Sequence, residues 1–150
     1  MANLVLPEVI VRRAGLADAS RVAELSGVLG YPADAAAVAA RLTRLLAREQ
    51  ELVLVAALPG ETVAGWIHAA EQELLESGRR CEIVGLVVDS AHRGRGVGRR
   101  LVAEVEAWAA GRGLGIIGVR SNVARGESHP FYLRLGYVRT KTSHVYRKQL

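Results

Sequence analysis

VVDSAHRGRGVGR (residues 87–99) leaves an apolar run, passes through alternating glycine and arginine, and enters a segment of helical periodicity. Upstream, Cys81 to Val88 is apolar almost throughout, as expected of a central strand covered on both faces. Downstream, Val97, Leu101, Val105 and Trp108 recur at helical spacing between Gly96 and about Arg112, which predicts a long helix packed back on the sheet. Gly111 and Gly113 suit its end. Alternating glycines let several backbone N–H groups approach one point, and the helix start adds unpaired donors and the positive end of its dipole. Such a turn favours a phosphate or diphosphate. Two common nucleotide motifs fail on spacing: Arg99 stands where GxGxxG needs its third glycine, and GxxxxGK[ST] does not occur.

Working outward, Val9 to Arg13 reads as a first strand, and Asp18 as the cap of a helix with Val22, Leu25 and Leu29 on one face, ended by Gly30, Tyr31 and Pro32. A second amphipathic helix is predicted from about Asp34 to Glu49, burying Val38, Leu42, Leu45 and Leu46. Leu52 to Leu58 and Thr62 to about Glu73 read as an antiparallel hairpin turning at Pro59 to Glu61, and the chain reverses again at Ser77 to Arg79. After the long helix come a strand at Ile116 to Arg120, a short helix at Ser128 to Leu135 ended by Gly136, and one or two closing strands within Tyr137 to Lys148. The sum is an α/β (α+β) domain with a mixed sheet.

Composition sets the frame. The 150 residues are 50% hydrophobic and 23% charged, and no repeat or linker divides them, so one globular domain is expected. One cysteine, Cys81, excludes an internal disulfide, and the histidines show no metal-ligand spacing with it, so no metal is expected. No run of 18 apolar residues and no signal-peptide pattern occurs, which leads to the expectation of a cytoplasmic protein with no membrane partner. The charge is uneven: residues 1–92 carry 8 Arg against 12 acids, whereas residues 93–150 carry 10 Arg and 2 Lys against 3 acids. The C-terminal part is therefore expected to face an anion and the N-terminal part to favour a cation.

Arg93, Gly96 and Gly98 fit the pattern R/QxxGxG/A between a strand and a helix, and here the chain resembles the GNAT superfamily of acetyl-CoA-dependent N-acetyltransferases. A second block, RSNVARGESHPFYLRLGY (Arg120 to Tyr137), is similar to the family's segment of strand end, Asn, Phe-Tyr helix and Gly-aromatic pair. The resemblance implies a single N-acetyltransferase domain over residues 1–150. Its sheet would be mostly antiparallel, of six or seven strands with a V-shaped splay between strands 4 and 5, flanked by about four helices. It implies acetyl-CoA as cosubstrate, the diphosphate held by Arg93, Gly94, Arg95, Gly96, Val97, Gly98 and Arg99. The pantetheine arm would lie along Leu86, Val87 and Val88 with Asn122 bonded to it, the Val88 N–H would polarise the thioester carbonyl, and Tyr132 would contact the coenzyme and act as general acid. Phe131 reads as core.

Acetyl transfer needs a deprotonated amine, help for the developing oxyanion and a proton for the departing thiolate. Tyrosine, with a reference pKa of about 10, stays protonated at neutral pH and suits the last task. Glu82, eleven residues before Arg93, matches the base position of the family's histone-acetylating branch. Regular alternation would put it on the face of Val84, Leu86 and Val88; the competing reading is a solvated Glu82 or one paired with Arg79 or Arg80. Arg125 and His129 have a spacing similar to that of small-molecule members and are read either as anion contacts or as a solvated arginine and a helix cap. Trp66 and His68 share a strand face and fill the core or wall the acceptor site, while Tyr31 is placed by the resemblance near the acceptor cleft. Cys81 has no histidine near it in sequence, so no covalent acetyl-enzyme is expected. The reading is transfer of acetyl to a primary amine of a small molecule, or of a protein, in a ternary complex. The alternatives are a non-catalytic coenzyme A sensor and an arginine-rich nucleic-acid-binding module, the latter weakened by scarce lysine and aromatic residues. Oligomeric state stays open, a homodimer included.

Overall fold

A computed structural model describes residues 8–60, 62–120 and 128–150 of the chain. It divides into two compact units, residues 1–119 and 120–150. The first unit contains β1 (Ile10–Arg13), α1 (Ala19–Val28), α2 (Ala35–Leu46), β2 (Glu51–Ala57), β3 (Val63–Leu74), β4 (Gly78–Val88), α3 (Val97–Gly111) and β5 (Ile117–Val119). One five-stranded sheet orders them β1-β2-β3-β4-β5, antiparallel through β4 and parallel between β4 and β5.

Local chemistry explains most element ends. The Asp34 carboxylate caps α2 by accepting from the Ala37 N–H at 2.7 Å. Asp18, expected as a helix cap, is used otherwise. A 3-10 turn at Leu16–Asp18 precedes α1, and the Asp18 carboxylate accepts from the Gly15 N–H at 2.8 Å and from both terminal nitrogens of Arg12 at 2.8 and 2.9 Å. This fork ties β1 to the entry of α1 and, led by the Arg12 hydrogen bonds, holds the Asp18 pKa below the usual carboxylate value. Leu46, expected in the α2 stripe, is 40% exposed, because the helix ends on it and its last turn passes the edge of the core.

The sheet is covered on both faces. On one, Val22 and Leu25 of α1 and Val38 and Leu42 of α2 pack on Val53, Val55 and Val87, with Trp66 against the same cluster. On the other, α3 presents Val97, Leu101 and Val105, all at most 2% exposed, with Trp108 half-buried at the end of the stripe. Burying each such aliphatic side chain stabilises the fold by about 1.5–3 kcal/mol. Trp66, paired with Val87, lays its ring over Gly85, the diagonal neighbour that pairs with His68: a Cβ on Gly85 would stand 2.9 Å from two atoms of the indole ring.

The second unit carries α4 (Ser128–Arg134), followed by Gly136 at φ 90°. The closing strands expected within Tyr137 to Lys148 are absent among the described residues, where Val138, Val145 and Tyr146 are 72–89% exposed. Among the described residues the sheet thus has five strands, not six or seven. Alternating apolar residues suit a strand, but a strand forms only where a neighbouring edge completes its hydrogen bonds.

Candidate active site

The glycine-rich turn begins where β4 ends. Asp89 caps a short 3-10 turn (Ser90–His92), and the chain then takes a left-handed conformation at Gly94 (φ 78°) and again at Gly96 (φ 79°), which directly precedes α3. No atom lies within 4 Å of the Cβ position of either glycine, so the backbone angle, rather than crowding, requires glycine there. Among the described residues, the backbone N–H groups of Gly94, Arg95, Gly96, Val97, Gly98 and Arg99 donate to no protein acceptor. Arg93, Arg95 and Arg99 are exposed around them, while Val97 is 2% exposed and anchors the turn to the core. Donors left open at a helix N-terminus, with three arginines in the same stretch of chain, are the chemistry that suits an anion.

Among the described residues β4 has no second neighbour over the same stretch. Its pairing with β5 runs through Cys81↔Ile117, Glu82↔Gly118 and Ile83↔Val119 and stops there, while β4 continues to Val88. The Asp89 N–H donates to the Ala64 carbonyl of the β3 connection at 2.7 Å. Because successive residues of a strand aim their backbone groups at alternate edges, Val87 faces β3, whereas Val88 and Leu86 turn their N–H and C=O groups toward the other edge. The Arg93 Nε approaches the Val88 carbonyl at 3.4 Å. Of the three residues expected to meet a ligand through the backbone, Val87 instead sends its side chain into the core, 3% exposed.

Glu82 departs from the sequence expectation. His68 pairs with Gly85 and Ala69 with Ile83, leaving Val84 as an extra residue in a β-bulge. The bulge reverses the alternation, so Glu82, opposite Ala70, shares the face of His68, Trp66 and Val87 rather than that of Leu86 and Val88. Val84 is 53% exposed and Glu82 only 6%, which removes the reading of a solvated glutamate. Its carboxylate lies over β5: a Cβ on Gly118 would be 2.6 Å from Glu82 Oε2. Arg80 Nε forms an ion pair with that oxygen at 3.6 Å, the pairing that the competing sequence reading named.

The other candidates separate clearly. Cys81 is fully buried, and burial, with Glu82 and Glu71 nearby, pushes its thiol up to about 11, so it stays a neutral thiol. His68 Nε2 pairs with Glu51 Oε2 at 2.7 Å, and Tyr31 is 64% exposed. Tyr132, on α4, packs edge-to-face with Phe131 and Tyr137 at ring separations of 5.1 and 5.8 Å, and burial raises its pKa. Asn122, Arg125 and the His129 side chain lie outside the described residues. Sequence reasoning missed Arg21 and Asp89, which meet at 2.8 Å at the root of the turn. Only the position of Asp89 before the turn hinted at this; nothing local marks Arg21. Among the described residues no group of three or more His, Cys, Asp or Glu could hold a metal ion, and no helix is long and apolar enough to cross a membrane.

The Acetyltransferase (GNAT) family model matches residues 22–137, and the chain belongs to that family of acetyltransferases. No curated protein sequence matches it. Among solved structures it is similar to the aminoglycoside N-acetyltransferase AAC(6')-Iy in complex with CoA, with 20% identity over 99% of this chain and 100% of that one and a TM-score of 0.85. It is also similar to aminoglycoside 6'-N-acetyltransferase AAC(6')-Ih from Acinetobacter baumannii (17% identity, 95% and 99% covered, TM-score 0.83). A third is a transcriptional regulator from Bacillus halodurans C-125 (23% identity, 95% and 99% covered, TM-score 0.80). At these identities the likeness is one of fold.

Proposed function

We propose that this acetyltransferase moves an acetyl group from acetyl-CoA to a primary amine of a small molecule by direct attack in a ternary complex. The observation that carries the reading is the row of amides from Gly94 to Arg99, none of which donates to a protein acceptor in good geometry among the described residues, in a turn with two left-handed glycines. These amides, with Arg93, Arg95 and Arg99, would hold the coenzyme diphosphate. The backbone groups that Leu86 and Val88 turn away from β3 would bond the pantetheine arm as an added strand, the Val88 carbonyl exchanging its Arg93 contact for it, with Asn122 as a further partner.

Bound acetyl-CoA supplies a thioester whose carbonyl carbon the amine attacks, the C–N bond forming as C–S breaks. The Val88 N–H is the donor toward the carbonyl oxygen as charge grows there. Glu82, buried on the face of Trp66 and His68, takes the proton lost by the amine, directly or through a water. Tyr132, kept protonated by its burial, gives the proton that the leaving sulfur needs. The neutral, buried Cys81 offers no competing nucleophile.

The acidic balance of residues 1–92 favours a cationic acceptor, and the AAC(6')-Iy neighbour is described in complex with the bisubstrate analog CoA-S-monomethyl-acetylneamine. The family match spans residues 22–137, in keeping with one transferase domain, and we place its action in the cytoplasm. The test is acetyl-CoA-dependent thiol release over a panel of primary amines, including aminoglycosides, polyamines and aminoalkylphosphonates. Turnover with at least one amine is expected, together with a Glu82→Gln variant slowed across pH 6 to 9. No turnover with any amine despite coenzyme binding would make the protein a coenzyme A sensor, and an unchanged Glu82→Gln rate removes Glu82 as the base.

A further inference from the structure

The glycine-rich turn cannot position itself. Among the described residues its amides donate to no protein acceptor in good geometry, so ahead of the helix ladder that begins with Arg100 N–H to the Gly96 carbonyl little stiffens the turn, and its geometry depends on what holds its two ends. The downstream end is the start of α3, seated by Val97 and Leu101 in the core. The upstream end is Asp89. Its N–H donates to the Ala64 carbonyl at 2.7 Å, its carbonyl accepts from the His92 N–H at 2.9 Å, and its Oδ1 accepts from the Ala91 N–H at 3.3 Å.

The remaining carboxylate oxygen of Asp89 reaches a different layer. Asp89 Oδ2 accepts from Arg21 Nη2 of α1 at 2.8 Å, with His92 Nδ1 at 3.4 Å. The Arg21 guanidinium is engaged on all three nitrogens: Nε donates to the Val63 carbonyl at 3.0 Å, and Nη1 pairs with Glu24 Oε1 at 2.9 Å. Its planar fork therefore has one orientation, referenced to the start of β3 and to α1. Both side chains are about three-quarters buried, so the pair is better shielded from water than a surface ion pair.

Resting on the coenzyme reading above, we propose that Arg21 and Asp89 form a positioning pair that pre-sets the glycine-rich turn for the coenzyme diphosphate, so that breaking the pair weakens coenzyme binding while leaving the chemical step intact. Neither residue touches the reacting atoms. In the broken state the turn samples other conformations, and binding must first restore the receptive one.

The experiment is steady-state kinetics of the full chain with Arg21→Met, Asp89→Asn and the double variant, using an amine accepted by the wild type. Each single change is expected to raise the KM for acetyl-CoA about tenfold, the loss of one charge-assisted hydrogen bond, with kcat at saturation within about twofold. The double variant should be no worse than either single one, because the second change removes the partner of a bond already broken. Trypsin cleavage after Arg93 and Arg95 should quicken in all three variants and slow again when coenzyme A is added. Arg21→Lys, which keeps a cation for Asp89, should recover part of the KM. Asp89→Asn, nearly isosteric, carries the test if Arg21→Met does not fold. KM values within twofold of wild type, additive effects, or kcat falling as much as kcat/KM would overturn the proposal. If KM stays unchanged here while the glycine substitutions below raise it, the positioning pair is wrong and the coenzyme reading stands; if neither set moves KM, both fall.

Discussion

Replacing Gly94 and Gly96 together by alanine perturbs the turn in a way that separates binding from folding. An L-residue at φ 78–79° costs roughly 1–2 kcal/mol, and with nothing within 4 Å of either Cβ position that conformational cost stands free of any clash. Both residues are exposed, so in the free protein the turn can relax away from the strained conformation, and the melting temperature should barely move. Coenzyme binding, however, needs the left-handed geometry. The combined cost of about 2–4 kcal/mol then falls on binding, corresponding to a rise in coenzyme Kd of about 30-fold or more. The assay is titration calorimetry with coenzyme A, alongside the KM for acetyl-CoA. Gly78→Ala is the matched control: Gly78 has φ 78° and equally open surroundings, but it begins β4, where folding itself imposes the angle. It should lose about 1–2 kcal/mol of stability with unchanged coenzyme affinity. Wild-type affinity in the Gly94/Gly96 double variant would show that the amides of this turn do not hold the coenzyme.

Three further outcomes are expected. Tyr132→Phe should lower kcat by about 100-fold, the scale of one general-acid contribution, while KM for acetyl-CoA changes less than threefold; equal turnover would remove Tyr132 from the mechanism. Asp18→Asn should cost roughly 1–3 kcal/mol at pH 7, discounted for the half-open Arg12, as read by urea unfolding. Because the Asp18 pKa is depressed in the folded state, this stability is present above the unfolded value of about 3.9 and is lost as pH falls through the folded one, so the variant's unfolding curves should lack that acid-side decline. Gly85→Ala should destabilise by about 1–3 kcal/mol and shift Trp66 fluorescence, since the new Cβ meets a rigid ring at 2.9 Å; an unchanged denaturation midpoint would contradict the packing described.

What the chain declares locally is what short-range physics controls. Glycine at residues 94 and 96, an apolar strand before them and the 97-101-105 stripe after them are each legible because backbone freedom, burial and helical period are properties of neighbouring residues. The hairpin, the two amphipathic helices and the turn at Gly78 follow for the same reason. The sequence alone therefore determined that a glycine-rich turn opens a helix behind a buried strand.

The bulge at Val84 depends on how β3 and β4 settle against each other, and a one-residue slip moves Glu82 to the other face of the sheet, which no period-two reading of β4 can foresee. The sharing of Asp18 between Arg12 and the start of the 3-10 turn instead of the cap of α1, the seat that Gly85 leaves for Trp66, and the reach of Arg21 across 68 residues to Asp89 belong to the same class. The strands expected after Gly136 are absent among the described residues, because alternation marks residues that suit a strand while the pairing itself is set by long-range contacts. Long-range pairing selects among local options that differ by little in energy, so tertiary structure alone decided on which face the candidate base lies and what holds the turn in place.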